Sequence, residues 1–122
     1  MTEPTTEPTS EPVAELSAED AKLVTLARAT RARTQAAEGA AVRDHDGRTY
    51  AAATVDLAAL QLTAVQVCVA MAVASGSRGL AAVVVLGDAT ELTLPDRAVL
   101  EEYAGPDVVV HLADARGNLV GP

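Results

Sequence analysis

The sequence predicts an α/β domain in which a mixed β-sheet of about four or five strands carries helices on its faces. Three observations lead to this prediction. Two strand-like segments flank a short turn near residue 44, which is typical of an antiparallel hairpin. Two continuous apolar runs follow, Leu80–Leu86 and residues 108–112, as expected for strands buried on both faces. Segments with helical spacing alternate with these strands, giving the order helix, two strands, helix, strand, helix, strand.

The composition favours one domain with a core of small side chains. The chain has 122 residues, of which 49% are hydrophobic and only 2% aromatic, so Ala and Val must fill the interior. The net charge is −8, but six of the 17 acidic residues precede the first cation, Lys22. The remaining charges form no basic stripe, which argues against nucleic-acid binding. A single cysteine excludes an intrachain disulfide.

Residues 1–16 repeat a Thr-Glu-Pro pattern and are predicted to form a disordered acidic tail, with the folded domain at residues 17–122. A docking tail for a partner is the functional alternative. No cationic, apolar leader precedes the domain, and no apolar stretch has the roughly 20 residues that a membrane span needs. We therefore expect a cytoplasmic protein with no membrane contact.

The first helix is predicted to begin after Ser17, a favourable N-cap followed by acidic residues in the first turn. Its predicted buried stripe consists of residues at helical spacing: Leu23, Leu26, Ala27, Thr30 and Thr34. The basic residues off this stripe could suggest phosphate binding, but a solvated face explains them.

The predicted hairpin joins residues 39–43 to residues 49–55 through a turn at residues 44–47. Asp44, His45 and Asp46 could be taken for a metal cluster. Turn chemistry explains the two Asp residues and Gly47 without a metal.

The central helix is predicted within residues 60–76, a stretch without charge or proline and with glycine only at its end. It is apolar nearly all round, so protein must cover every side of it. The small domain has too little material to do so. We therefore predict a homodimer or homotetramer formed through residues 62–76, in which the strip Val67, Met71 and Ala74 meets its own copy.

After the strand Leu80–Leu86, residues 95–103 predict a short helix whose Ala98, Val99 and Tyr103 pack inward. Residues 108–112 predict a second buried strand. Residues 114–118 then turn the chain toward a brief final strand.

These segments, in this order, resemble the small zinc-dependent cytidine deaminases from about residue 18 to residue 117. The resemblance rests on five short sequence motifs: Gly39-Ala-Ala followed by Asp46-Gly47, Thr54-Val-Asp56, Leu62-Thr63, Leu80 to Asp88, and Arg97-Ala-Val-Leu-Glu-Glu-Tyr103. The resemblance implies a cytidine deaminase-like three-layer fold, hydrolytic deamination of cytidine to uridine, and homo-oligomers that are often tetramers.

The chemistry of that family needs a zinc ion on three protein ligands and a glutamate that moves protons. Carried over by position, the ligands fall at Val65, Thr93 and Asp96, and the glutamate falls at Val67. The aromatic residue that stacks on the base falls at Ala36. The pair that contacts the ribose becomes Thr54 and Asp56, which can still hydrogen-bond a sugar.

We therefore predict a catalytically inactive relative without zinc or catalytic residues, which serves as a structural or binding partner. One alternative is a nucleoside-binding protein with Thr54 and Asp56 in its pocket. The other is a divergent active deaminase whose zinc would be held by His45, His111, Cys68 and scattered Asp residues. Two observations argue against the divergent active deaminase. Cys68 in an apolar helix is typical of a buried hydrophobic residue. His111 is typical of a strand-end residue whose ring is satisfied by backbone or water.

Overall fold

The computed structural model describes residues 16–120 of the chain. Apart from Leu16, the predicted acidic tail at residues 1–16 lies outside the described residues. Three helices and six strands follow one another: α1 (Ala18–Thr34), β1 (Gly39–Asp44), β2 (Thr49–Ala53), β3 (Val55–Asp56), β4 (Gln61–Leu62), α2 (Ala64–Ala74), β5 (Leu80–Leu86), α3 (Leu94–Tyr103) and β6 (Val109–Ala113). Within residues 16–120, none of the helices has both the length and the apolar character needed to cross a membrane.

The main sheet is mixed and has four strands in the order β2-β1-β5-β6. Strand β1 runs antiparallel to both β2 and β5, whereas β5 and β6 run parallel. The connection between the parallel strands contains α3, as a parallel pair requires a crossover. The predicted fold class, a mixed sheet with helices on its faces, is confirmed.

Alternating side chains divide the core into two layers, one on each face of the sheet. Ala41, Val84 and Leu86 belong to the cluster beneath α1. Val42, Val83 and Val85 belong to the cluster beneath α2 and α3. Because successive strand residues point to opposite faces, the continuous apolar run of β5 serves both layers.

Gly39 shows how closely α1 approaches the sheet. A Cβ atom at this position would lie 2.8 Å from the Cβ of Arg31 and closer still to the carbonyl oxygen of Ala27. A larger residue at this position would therefore push the helix away from β1.

Helix α1 begins as predicted, with the Ser17 hydroxyl accepting a hydrogen bond from the Asp20 amide at 3.0 Å. The predicted buried stripe is wrong at two positions, since Leu26 and Thr34 are exposed. The Thr34 hydroxyl instead donates to the Thr30 carbonyl at 2.9 Å. Asp20 joins the buried face because partners on the sheet bind its carboxylate, as described below.

The predicted hairpin between β1 and β2 is confirmed, and turn chemistry accounts for its acidic residues. One oxygen of Asp44 accepts hydrogen bonds at 2.9 Å from the amides of both Asp46 and Arg48. Gly47 has a φ of 88°, the left-handed conformation that the turn needs. The second Asp44 oxygen accepts from the hydroxyls of Tyr50 and Ser77, which ties the hairpin to the segment after α2.

The segment between β2 and α2 differs from the prediction. The second strand ends at Ala53, and Val55–Asp56 pairs instead with Gln61–Leu62 in a separate two-stranded sheet. Helix α2 therefore begins at Ala64, within the predicted stretch at residues 60–76. Its start is set by a capping box, in which the Thr63 hydroxyl accepts from the Gln66 amide and the Gln66 side chain accepts from the Thr63 amide.

The last part of the chain corrects two further predictions. Strand β6 is not buried on both faces, because it lies at the sheet edge and leaves Val109 46% exposed. The brief final strand is reduced to a single bridge between Ala113 and Leu119. In α3, Ala98 is exposed, whereas Val99 and Tyr103 pack against the core as expected.

Candidate functional site

A cavity of about 590 Å³ lies where five segments of the chain meet: the α1–β1 connection, the β2–β3 segment, β4 with the start of α2, the β5–α3 connection and the start of α3. Part of its wall is apolar and comes from Ala37, Val55, Leu62, Ala89 and Pro95. Its volume falls within the roughly 300–1,000 Å³ of typical small-molecule pockets. The cavity is thus large enough for a nucleoside-sized ligand.

Glu38 contributes a carboxyl group to this cavity from the residue just before β1. Thr54 holds the backbone there, since its hydroxyl accepts from the Glu38 amide at 3.0 Å and donates to the Glu38 carbonyl at 3.4 Å. The Glu38 side chain packs over Gly87, where a Cβ atom would lie 3.0 Å from Glu38 Cγ. The backbone and the first part of the Glu38 side chain are therefore held by their neighbours.

The environment of Glu38 disfavours its charged form. Burial raises the pKa of Glu38, and the negative charge of Asp96 raises it further. A carboxyl group that is costly to ionise, inside a cavity, is a frequent mark of a functional site.

The two positions predicted to contact a sugar, Thr54 and Asp56, both line the cavity. Their situations differ, because the Thr54 hydroxyl is already engaged by the Glu38 backbone. Asp56 is exposed at the cavity wall, and no other side chain among residues 16–120 hydrogen-bonds its carboxylate. Of the two, Asp56 is the one free to bind a ligand.

Beside the cavity, Asp96 joins the first turns of α2 and α3. The residue is 2% exposed, and its carboxylate accepts a hydrogen bond of 2.6 Å from the Thr63 hydroxyl, which is at the N-cap of α2. Its own amide donates to the hydroxyl of Thr93, the N-cap of α3, at 3.3 Å. A carboxylate placed between two helix N-termini is favoured there by both helix dipoles.

Comparison with known proteins identifies the family. A family model described as cytidine deaminase-like matches residues 16–117. The chain belongs to the cytidine deaminase-like family. A search of curated proteins finds no match to the sequence.

Solved structures of cytidine deaminases are similar to this chain. The enzyme from Burkholderia pseudomallei has a TM-score of 0.72 and 25% sequence identity, covering 80% of this chain and 87% of that one. The enzyme from Mycobacterium leprae has a TM-score of 0.65 and 26% identity, covering 75% and 85%. The Mycobacterium tuberculosis enzyme, at 23% identity over 75% and 80%, shows the shared fold with a TM-score of 0.63.

The residues at the positions that the resemblance assigns to zinc ligands do not suit a zinc ion. Val65 is fully buried and has no donor atom, and its place in the same core cluster as Leu100 explains the apolar side chain. Thr93 has a neutral hydroxyl that caps α3. Asp96 alone offers a carboxylate, which Thr63 already engages. One occupied carboxylate is too few for a site that needs three ligands.

The positions that the resemblance assigns to the glutamate and the aromatic residue hold Val67 and Ala36. Val67 is half-buried against the core cluster and can neither bind nor move a proton. Ala36 is half-buried, and its neighbour Ala37 rather than Ala36 itself lines the cavity.

The alternative metal donors lie apart from one another. His111 faces α1, where its Nε2 lies 2.9 Å from an oxygen of Asp20. The prediction that backbone or water satisfies His111 is therefore wrong, since its partner is a carboxylate. Cys68 is fully buried on the opposite side of the sheet, and burial raises the pKa of its thiol to about 12. Among the residues described here, no three His, Cys, Asp or Glu side chains converge on a possible metal site.

Glu38, a cavity acid whose pKa is raised by burial, was not predicted from the sequence. The available signal was its position directly before a predicted strand, where side chains often reach a site at the edge of the sheet. Asp88, which directly follows β5 and also lines the cavity, carried the same signal.

Proposed function

We propose that this chain is a non-catalytic member of the cytidine deaminase-like family that binds a nucleoside-sized ligand in its cavity. The observation that carries the proposal is the contrast between two neighbouring regions. The positions for zinc and the proton-transferring glutamate hold Val65 and Val67, whereas the cavity beside them keeps Asp56 at its wall.

The loss of deamination chemistry follows from the side chains. Attack on cytosine needs a water that a metal has made acidic and a carboxylate that transfers protons to the base. Val65 and Val67 offer neither donor atoms nor titratable groups, and the Asp96 carboxylate joins two helices. Valine at one ligand position and at the glutamate position also avoids the cost of leaving unpaired polar groups in the core.

A gain-of-metal variant tests this assignment of positions. The triple substitution V65C/T93C/D96C restores three thiolate ligands at the family's zinc positions. We expect it to retain close to one zinc per chain after dialysis, measured by mass spectrometry of the metal, while the wild type retains well under one. Equal zinc content in both proteins would contradict the assignment.

The retained cavity supports a binding role. It combines apolar wall residues with polar groups on separate segments, among them Asp56, Gln61 and Gln66. Such a mixture buries the body of a small ligand and orients it through a few hydrogen bonds.

Thermal denaturation with a panel of ribonucleosides tests the binding role. A ligand that binds only the folded protein stabilises it by about 2.7 kcal/mol when present at 100 times its Kd. We expect at least one nucleoside to raise the Tm of the full chain in a concentration-dependent way. Asp56→Ala should weaken the effect, whereas Asp107→Ala, an exposed change outside the cavity, should not. No shift with any nucleoside at millimolar concentration would end the proposal.

A structural role through self-association is the second candidate, and one observation favours it. In the single chain, Val73 on α2 is 53% exposed, and Ala70 and Ala74 beside it are also exposed. Val67 and Met71 are only half covered. A second copy of α2 would cover this strip, in line with the predicted homodimer or homotetramer through residues 62–76.

A further inference from the structure

The cavity wall carries negative charge that no side chain in the wall balances. Glu38, Asp56 and Asp88 all line it, and no Lys, Arg or His among residues 16–120 does. Arg31 reaches the Ala37 carbonyl with its Nε at 3.2 Å, but its side chain does not form part of the wall. An anionic ligand would meet three carboxylates and no cation.

The helix N-termini at the cavity do not reverse this sign. Each contributes a partial positive charge of about half a unit, and nearby groups offset that charge. The α2 terminus is closed by the capping box of Thr63 and Gln66, and the buried Asp96 carboxylate sits between α2 and α3. The dipoles are thus offset by Asp96, and the three wall carboxylates remain.

The size and polarity of the cavity limit the kind of cation. A volume of about 590 Å³ far exceeds that of a bare metal ion, and five wall residues are apolar. No group of donors suited to a metal exists in the described part of the chain. The wall therefore suits a positive charge carried on a larger, partly apolar body.

We infer that the cavity selects an organic cation of nucleoside size, such as a nucleoside whose base bears a positive charge, over its neutral counterpart. The inference rests on the proposed binding function and adds the charge of the ligand to it. Glu38, Asp56 and Asp88 are the residues that confer the selectivity. The raised pKa of Glu38 agrees with this, because a bound cation would offset the cost of ionising that group.

Isothermal titration with two isomeric nucleosides tests the inference. 3-Methylcytidine carries a positive charge at neutral pH, whereas 5-methylcytidine is neutral and has the same number of heavy atoms. We expect the full chain to bind 3-methylcytidine at least tenfold more tightly, equivalent to about 1.4 kcal/mol. The preference should weaken as salt is raised, because the charges lie at an open wall.

Variants separate charge from shape. Glu38→Gln keeps the size of the side chain, and we expect it to reduce the preference to about threefold or less. Asp56→Asn should act in the same direction, and the double variant should reduce the preference further than either change alone, with Asp88 as the remaining wall carboxylate. Asp107→Asn, which removes an exposed carboxylate outside the cavity, should leave the ratio unchanged. A preference caused by the position of the methyl group would persist in Glu38→Gln and would overturn the inference.

The possible failures are distinguishable. If both nucleosides bind the wild type equally, or the neutral one binds more tightly, the charge inference is wrong and the binding function stands. If neither these nor any other nucleoside binds, the proposed function itself fails.

Discussion

The hydroxyl of Thr63 donates a 2.6 Å hydrogen bond to the carboxylate of Asp96, and this bond joins the N-termini of α2 and α3. The resemblance implies that in cytidine deaminases both helices supply ligands to one zinc ion. Here a hydrogen bond between side chains links the same two helix ends. This bond therefore fixes the two helix ends relative to each other.

Removing this hydrogen bond should lower the folding stability of the protein. Thr63→Val keeps the shape of the side chain but removes the α2 cap and leaves Asp96 without its donor. We expect a loss of about 2–3 kcal/mol in the free energy of unfolding, measured by urea denaturation. Thr63→Ser, which keeps the hydroxyl, should lose less than half as much. Similar stabilities for Thr63→Val and the wild type would show that the bond does not contribute.

A substitution at Glu38 should have the opposite effect on the stability of the protein. Because burial and the charge of Asp96 raise its pKa, the ionised form is disfavoured in the folded state. Glu38→Gln should therefore stabilise the protein at pH 7, by a few tenths of a kcal/mol since solvent screens a half-buried group. The gain should vanish at a pH below both the folded and unfolded pKa values, where Glu38 is protonated. A clear loss of stability at pH 7 would contradict this account.

Asp20 should make the folding stability of the protein depend on pH in the acid range. Burial alone would raise the pKa of Asp20, but hydrogen bonds from His111 and Arg43 outweigh it, so the pKa is lowered. The contribution of Asp20 is therefore present above its unfolded pKa, near 3.9, and is lost as the pH falls through the folded value. Acid denaturation of Asp20→Asn should show a smaller loss of stability between about pH 5 and pH 2 than the wild type.

At pH 7 the same Asp20→Asn change should cost about 1.5–3 kcal/mol, because it weakens two charge-assisted hydrogen bonds of 2.9 Å. Glu19→Gln, one residue earlier and exposed, is the matched control and should be nearly neutral. Parallel acid-denaturation curves for Asp20→Asn and the wild type would refute the role of Asp20.

The exposed face of α2 predicts self-association. Val73→Glu places a charge on a side chain that is half exposed in one chain, so it should dissociate an oligomer without unfolding the subunit. Met71→Glu should dissociate or unfold it, at a cost of several kcal/mol, because Met71 also packs against the core. Ala29→Glu on the exposed side of α1 should change neither property. Light scattering measures the mass, and a 12 kDa wild-type monomer at micromolar concentration would contradict the prediction.

The parts of the fold that sequence predicted well have strong local signals. The run Leu80–Leu86 could be placed because apolar side chains serve both faces of the sheet. The turn at Asp44 could be placed because its carboxylate bonds amides two and four residues away. In contrast, β3 and β4 have two residues each, too few to show a period.

Contacts between distant residues could not be predicted from sequence pattern. Asp20 and His111 are 91 positions apart, so the buried position of Asp20 depended on the folded sheet. Glu38 and Asp96 likewise become neighbours only when the α1–β1 connection meets the start of α3. The predicted residues Thr54 and Asp56 do lie at the cavity, because the likeness to cytidine deaminases extends through that segment.

An ultraviolet assay of cytidine conversion to uridine by the purified chain, supplied with zinc, tests the proposed loss of catalysis. The cytidine deaminase of Burkholderia pseudomallei, assayed in parallel, provides the positive control. Because Val65 and Val67 stand where the resemblance places a metal ligand and the proton-transferring glutamate, we predict no conversion above the rate without protein. Chelator-sensitive turnover of cytidine, with zinc bound at one ion per chain, would contradict the account.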